Sequence, residues 1–156
     1  MFSVLFEVRP APEHHDTYLG LATMLRPELE RVDGFVDNLR YRSLTRAGWL
    51  LSLSGWRDEK ALVRWRTAAS HHGVQGRGRD GVLQDYRLRV GQLTQDTRLP
   101  AGQALREQRL DETQHGGGAA VVLVDARHPA AWVAATAPED VARRLGLDTG
   151  AAGLVG

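Results

Sequence analysis

Residues 35–65 read FVDNLRYRSLTRAGWLLSLSGWRDEKALVRW, and the order of signals within them decides the fold. Phe35 to Leu44 is an extended run, Thr45-Arg46-Ala47-Gly48 has the composition of a hairpin loop, and Trp49 to Trp56 is a second run of Leu, Ser and Trp. Arg57-Asp58-Glu59 then opens a helix, with its acids placed to favour the positive end of the helix dipole. Ala61, Leu62, Trp65 and Ala69 share one face of that helix, which is expected to loosen between Gly73 and Gly78. Strand, tight loop, strand and helix form the middle of a split βαβ unit.

The flanks complete the unit. Phe2 to Arg9 alternates, with Val4, Phe6 and Val8 on one face and Ser3, Leu5 and Glu7 on the other, until Pro10 and Pro12 end the strand. A helix opens over residues 12–16, and Tyr18, Leu21, Leu25, Leu29 and Val32 form its apolar stripe. Pro27 predicts a kink or a break and restart in it. Val32-Asp33-Gly34 is a turn, and Val82 to Leu93 is the last strand. The expectation is an α+β fold: a ferredoxin-like β-α-β-β-α-β antiparallel sheet with both helices on one face. Its other face needs cover, which a homodimer stacking two such faces would supply.

After Thr97 the character changes. Residues 98–118 are polar, end in three glycines and read as a linker or arm. Residues 119–156 read as an incomplete second β-α-β copy: a strand at Ala120 to Ala126, a short helix at Pro138 to Leu145, and a strand beginning at Gly153-Leu154-Val155. Either the chain stops inside a tandem partner domain, or this segment completes a sheet elsewhere.

Composition bounds the function. The chain has 156 residues, 42% hydrophobic and 25% charged, as a folded soluble domain does. With 20 basic residues against 19 acidic, it lacks the surplus that a nucleic-acid surface needs. No apolar run approaches a membrane span, and MFSVLFEVRP has neither the basic flank nor the cleavage site of a signal peptide, so a cytoplasmic protein is expected. The absence of Cys excludes disulfides, thiolate metal sites and a Cys nucleophile. Lys60 is the sole lysine, a mark of GC-rich coding, from which a bacterial source is expected.

Residues Phe2 to Thr97 resemble the antibiotic biosynthesis monooxygenase (ABM) superfamily, the dimeric α+β barrel. The resemblance is carried by FSVLFEV, GFVDNLRY, LSLSGWRDEKALVRW, HHGVQGRGR and DYRLRV. It implies a homodimer and, given the superfamily's tandem members, is compatible with a repeat in the tail. Its members include cofactor-free oxygenases of quinone-forming polyketides, haem-degrading monooxygenases and proteins of unknown ligand, so the fold alone does not fix the reaction.

Two site readings follow. In a cofactor-free monooxygenase acting on a small hydrophobic aromatic or polyketide-like substrate, His71 or His72 would be the base. Phe6, Trp56 and Trp65 would wall the pocket, and Asn38 or Arg79 would stabilise the substrate anion. The resemblance departs from these oxygenases at Ser52, where they have Asn, and at Leu62, where they have Tyr. In the haem-binding or haem-degrading alternative, Trp65 matches a Trp of those members and His71 approximates the iron ligand, with Val8 standing where they carry Asn. Set against both is a non-catalytic, dimeric ligand-binding module in which Trp65 is core and the His71-His72 pair caps a helix end. His14-His15 reads as a pair of exposed loop histidines, and Asp85-Tyr86 as part of a dimer contact.

Overall fold

The computed structural model describes residues 1–43, 45–68, 73, 81–106, 121–123 and 154–155. Strand β1 (Phe2–Pro10) leads through a single 3-10 turn (Pro12–His14) into helix α1 (His15–Glu30). Strands β2 (Phe35–Ser43) and β3 (Leu50–Trp56) form the hairpin, followed by helix α2 (Glu59–Thr67) and strand β4 (Leu83–Gln92). A two-residue strand, β5 (Leu154–Val155), comes from the tail. The sheet order is β4-β1-β3-β2-β5, every pair antiparallel. The ferredoxin-like β-α-β-β-α-β core is therefore present as the alternation predicts.

Strand register sorts the side chains into two faces. Phe2 lies opposite Trp56, Val4 opposite Ser54, Phe6 opposite Ser52 and Val8 opposite Leu50. This is the face the helices cover: Phe2, Trp56 and Ala61 are buried together, with Val4, Leu29, Val32, Phe35, Leu62 and Trp65 packed around them. Phe35 meets Trp56 edge-on, with ring centroids 5.6 Å apart. Each large side chain buried here contributes about 1.5–3 kcal/mol relative to exposure. Leu5, Leu51, Leu53, Leu39 and Tyr41 lie on the opposite face.

The exit of α1 is tied to the entry of α2. Asp58 caps α2 by accepting from the Ala61 amide at 2.8 Å. Arg57 holds Asp33 in the α1–β2 turn with two parallel 2.8 Å hydrogen bonds. The Arg57 amide also donates to the Gly34 carbonyl, again at 2.8 Å. Gly34 has φ +90°, a left-handed conformation that a residue without Cβ adopts freely. Gly48, at φ +76°, closes the hairpin loop for the same reason.

The structure departs from expectation in several places. α1 runs unbroken through Pro27. Both Pro27 and Thr23, whose carbonyl the proline leaves without its helical donor, are exposed, so water can satisfy that oxygen. His14 and His15 stand in the 3-10 turn and the first turn of α1, half-buried, rather than in an open loop. α2 is short: it ends at Thr67, where Ala68 turns extended. In the expected strand at Ala120 to Ala126, residues 121–123 adopt no strand, and Val122 is 85% exposed. The expected helix at Pro138 to Leu145 lies outside the described residues. Leu154 and Val155 do form a strand, and it joins the edge of β2, with Val155 opposite Arg42 and Leu154 opposite Ser43.

Candidate functional site

The helix-facing side of the sheet gathers most of the predicted residues that are described. Phe6, at the centre of β1, is half-buried and lies 6.0 Å from the Tyr86 ring at an interplanar angle of 52°. Tyr86, Leu88 and Val90 follow one another on the same face of β4, in register with Val8, Phe6 and Val4. They are 52%, 57% and 47% exposed, an open apolar band beside Phe6. Tyr86 therefore faces the helix side, not the open face where a barrel dimer would meet.

A polar row crosses the same face on β2 and β3. The Asn38 amide donates to the Ser52 hydroxyl at 2.9 Å and to the Leu53 carbonyl at 3.3 Å. The Trp56 indole N–H donates to the Ser54 hydroxyl at 2.9 Å. Beyond them stands Arg40, opposite Ser52 in the register, its guanidinium carbon 5.9 Å from the centroid of the Tyr18 ring on α1. The Arg40 Nε–H is buried with no hydrogen-bond acceptor. Burial pushes the Tyr18 phenol above its usual pKa against the opposing pull of the Arg40 charge, so Tyr18 is neutral at physiological pH.

The predicted residues thus separate by environment. Phe6 lines the open band. Asn38 is on the right face, but both its N–H groups are used inside the sheet. Trp56 is 1% exposed and belongs to the core, so it presents no ring face to a ligand. Trp65 packs half-buried against that core. His71, His72 and Arg79 lie outside the described residues, and the helix bearing Trp65 closes before it reaches them. Arg40 was not singled out by the sequence, Tyr18 was placed only in the apolar stripe of α1, and Tyr86 was assigned to a dimer contact. Alternation alone puts Tyr86, Leu88 and Val90 on one side of β4, but which side follows only from pairing with β1.

The opposite face carries a different arrangement. Glu7 accepts hydrogen bonds from Arg46 and Arg89, and the Arg46 guanidinium lies 4.4 Å from the Trp49 ring centroid. Burial would raise the Glu7 pKa, but the hydrogen bonds from Arg46 and Arg89 outweigh it and hold the carboxyl below its usual range. Leu5, Leu51, Trp49 and Leu123 close a cavity of about 180 Å³ beside this cluster.

Among the described residues no group of three or more His, Asp or Glu side chains could hold a metal ion, and no helix is long and apolar enough to cross a membrane. Val8, where the haem-degrading members carry Asn, is fully buried and offers no hydrogen-bond donor.

The sequence profile described as antibiotic biosynthesis monooxygenase matches residues 1–77, most of the strands and both helices just described. The chain carries an antibiotic biosynthesis monooxygenase domain. Within the curated proteins, the ABM chain is 64% identical over 98 residues to "Jasmonate monooxygenase ABM" of Pyricularia oryzae. The match covers 63% of this chain and 46% of the fungal protein, so the chain spans about half the length of that relative. Solved structures give the same fold at low identity. A candidate antibiotic biosynthesis monooxygenase of Deinococcus radiodurans superposes with TM-score 0.58 at 13% identity, covering 64% of this chain and 99% of that one. Rv0793 of Mycobacterium tuberculosis gives TM-score 0.57 at 15% identity, over 62% and 98% of the two chains. At these identities the two neighbours speak to fold alone.

Proposed function

We propose that this ABM chain is the oxygenase portion of a monooxygenase whose substrate is jasmonate or a close analogue, a small apolar molecule ending in a carboxylate. The observation that carries the reading is the 64% identity over 98 residues to a protein named for jasmonate monooxygenation. The helix-facing side of the sheet supports it, because an apolar band at Phe6, Tyr86, Leu88 and Val90 shares that face with the cationic Arg40. In such a reaction one oxygen atom of O2 enters a C–H bond of the substrate. The other leaves as water, with two electrons and two protons from a donor. Action as a cytoplasmic homodimer that pairs through the open sheet face belongs to the same proposal.

A second reading is favoured by the tilted Phe6–Tyr86 pair, which offers ring edges to an aromatic ligand. Here a phenol or dihydroquinone loses a proton to His71 or His72, and the electron-rich anion itself reduces O2, with no cofactor. Trp65 and Phe6 would flank the substrate. Arg79 would stabilise its charge, since the Asn38 donors are already engaged.

The test is incubation of the full chain with 18O2 and each substrate class, with products read by mass spectrometry. One labelled oxygen in jasmonate supports the first reading. Label or oxygen uptake only with anthrones or dihydroquinones, lost in His71→Ala or His72→Ala, supports the second. A folded chain that oxidises neither, with or without a reductant, overturns both and leaves a ligand-binding module. Haemin titration decides the remaining alternative: a stoichiometric Soret shift that His71→Ala abolishes would make haem a ligand of this chain.

A further inference from the structure

We infer that Arg40 is the anchor for the substrate's carboxylate, fixing how an apolar acid lies on the helix-facing side of the sheet. The inference rests on the proposed jasmonate-type substrate and adds the residue and the ligand group that decide orientation.

The charge environment of Arg40 carries it. Arg40 sits mid-strand on the helix-covered face, half-buried, between the Ser52 position of β3 and the ring of Tyr18. Five other arginines of the domain hold acids: Arg57 and Arg64 hold Asp33, Arg46 and Arg89 hold Glu7, and Arg26 holds Glu30. Among the described residues Arg40 has none, and its Nε–H is fully shielded without an acceptor. A buried donor left unsatisfied costs free energy, and an unpaired charge costs more. The Tyr18 ring offsets part of that through its π face, but it accepts no hydrogen bond in the guanidinium plane.

The guanidinium can still offer a planar fork of N–H groups, the geometry a carboxylate accepts in two parallel bonds. On β2 and β3, and at Asp16 and Glu30 of α1, no acid is positioned to supply that anion. Asp37 points to the other face, Glu30 is bonded to Arg26, and Asp16 is exposed beside His15. The apolar band on β4 lies on the same face, three strands away, with β3 and β1 between. A molecule with a carboxylate at one end and hydrocarbon at the other matches that polarity: head on Arg40, body across Phe6 toward Leu88. Tyr18, neutral and in contact with the guanidinium, fixes its plane and is a positioning residue.

The experiment compares jasmonate with its methyl ester on wild type, Arg40→Met and Arg40→Lys, by calorimetric titration, with circular dichroism confirming the fold of each. Met keeps the apolar stem and removes the charge. Loss of hydrogen bonds to a charged partner predicts that Arg40→Met weakens the acid about 10- to 100-fold. The ester should change less than about twofold, and Arg40→Lys should fall between, keeping charge but not the fork. In turnover, KM for the acid rises while kcat changes little. If wild type binds the acid and Arg40→Met binds it equally well, the Arg40 assignment is wrong and the jasmonate reading stands. If wild type binds neither compound, the jasmonate reading falls, and Arg40 is judged on decanoate against methyl decanoate. A wild-type preference for that acid, lost in Arg40→Met, keeps the carboxylate site; equal binding overturns it.

Discussion

Gly34 and Ala61 are in closer contact than any other side chain at Gly34 would permit: a methyl group placed on Gly34 would come within 2.6 Å of the Ala61 β-carbon. Ala61 is fully buried in α2, and Gly34 is held at φ +90° by the turn into β2. Gly34→Ala therefore incurs backbone strain and overpacking together, an expected loss of about 2–3 kcal/mol. Ala61→Gly relieves only the packing part. In urea titrations the double variant should be more stable than the sum of the single losses predicts, by about 1 kcal/mol. Strict additivity would show that the two residues do not touch in solution.

Glu7 makes acid stability a property of the open face. Its carboxyl is held below its usual pKa by Arg46 and Arg89 despite burial, so the ionised form is favoured by folding. That contribution is complete above the unfolded carboxylate pKa of about 4.3 and is lost as pH falls through the lower, folded value. Glu7→Gln should cost about 1–3 kcal/mol at pH 7, from weaker hydrogen bonds to two cations. The gap to wild type should narrow below pH 4. An undiminished gap at pH 2.5 would contradict the assignment.

Asp58 is both the cap of α2 and a partner of Arg57. Asp58→Ala should cost about 1 kcal/mol, whereas Asp58→Asn, which retains a capping oxygen, should lose less than half of that. Thermal unfolding of the two variants measures the difference. Equal losses would show that the negative charge matters more than the cap.

Cutting the chain after Arg106 removes β5 and the Leu123 contact. The four strands β4-β1-β3-β2 should still fold, since their pairing lies within residues 2–92. The freed edge of β2 then offers unpaired backbone groups to a second chain. Light scattering should show association beyond that of the full chain, rising with concentration. A size distribution unchanged by the cut would mean that β5 does not protect the edge.

The sheet was legible because β1 alternates, the later strands are extended runs of apolar and β-compatible residues, and Pro or Gly marks strand ends, as at Pro10 and Gly48. Both helix starts were legible from their acids. α1's continuity was not, since Pro27 is tolerated only where its freed carbonyl is exposed, a tertiary fact. The candidate site was half legible. Phe6 follows from alternation, but the burial of Trp56 and the internal use of the Asn38 amide depend on cross-strand partners. Arg40 drew no notice because an arginine in a chain rich in arginine carries little information. It becomes conspicuous only once the acids around it are found to be elsewhere. His71, His72 and Arg79 fall beyond the described end of α2, so the sequence reading of their chemistry stands as part of the proposal.

The pairing of β5 with β2 also has a consequence for the time course of folding. Val155 and Arg42 are separated by more than a hundred residues of chain, and only two residues form the strand that joins them. Closing so long a loop for so few hydrogen bonds comes late and is undone early. During synthesis the four-stranded sheet can assemble and hold its shape while one margin stays bare, awaiting residues not yet made. In the finished chain the same margin should be the first to breathe. The amide of Arg42 should exchange with solvent well ahead of those of β1, whose two neighbours arrive from within the first 92 residues, whereas the Ser43 amide is held by the Trp49 carbonyl within the hairpin.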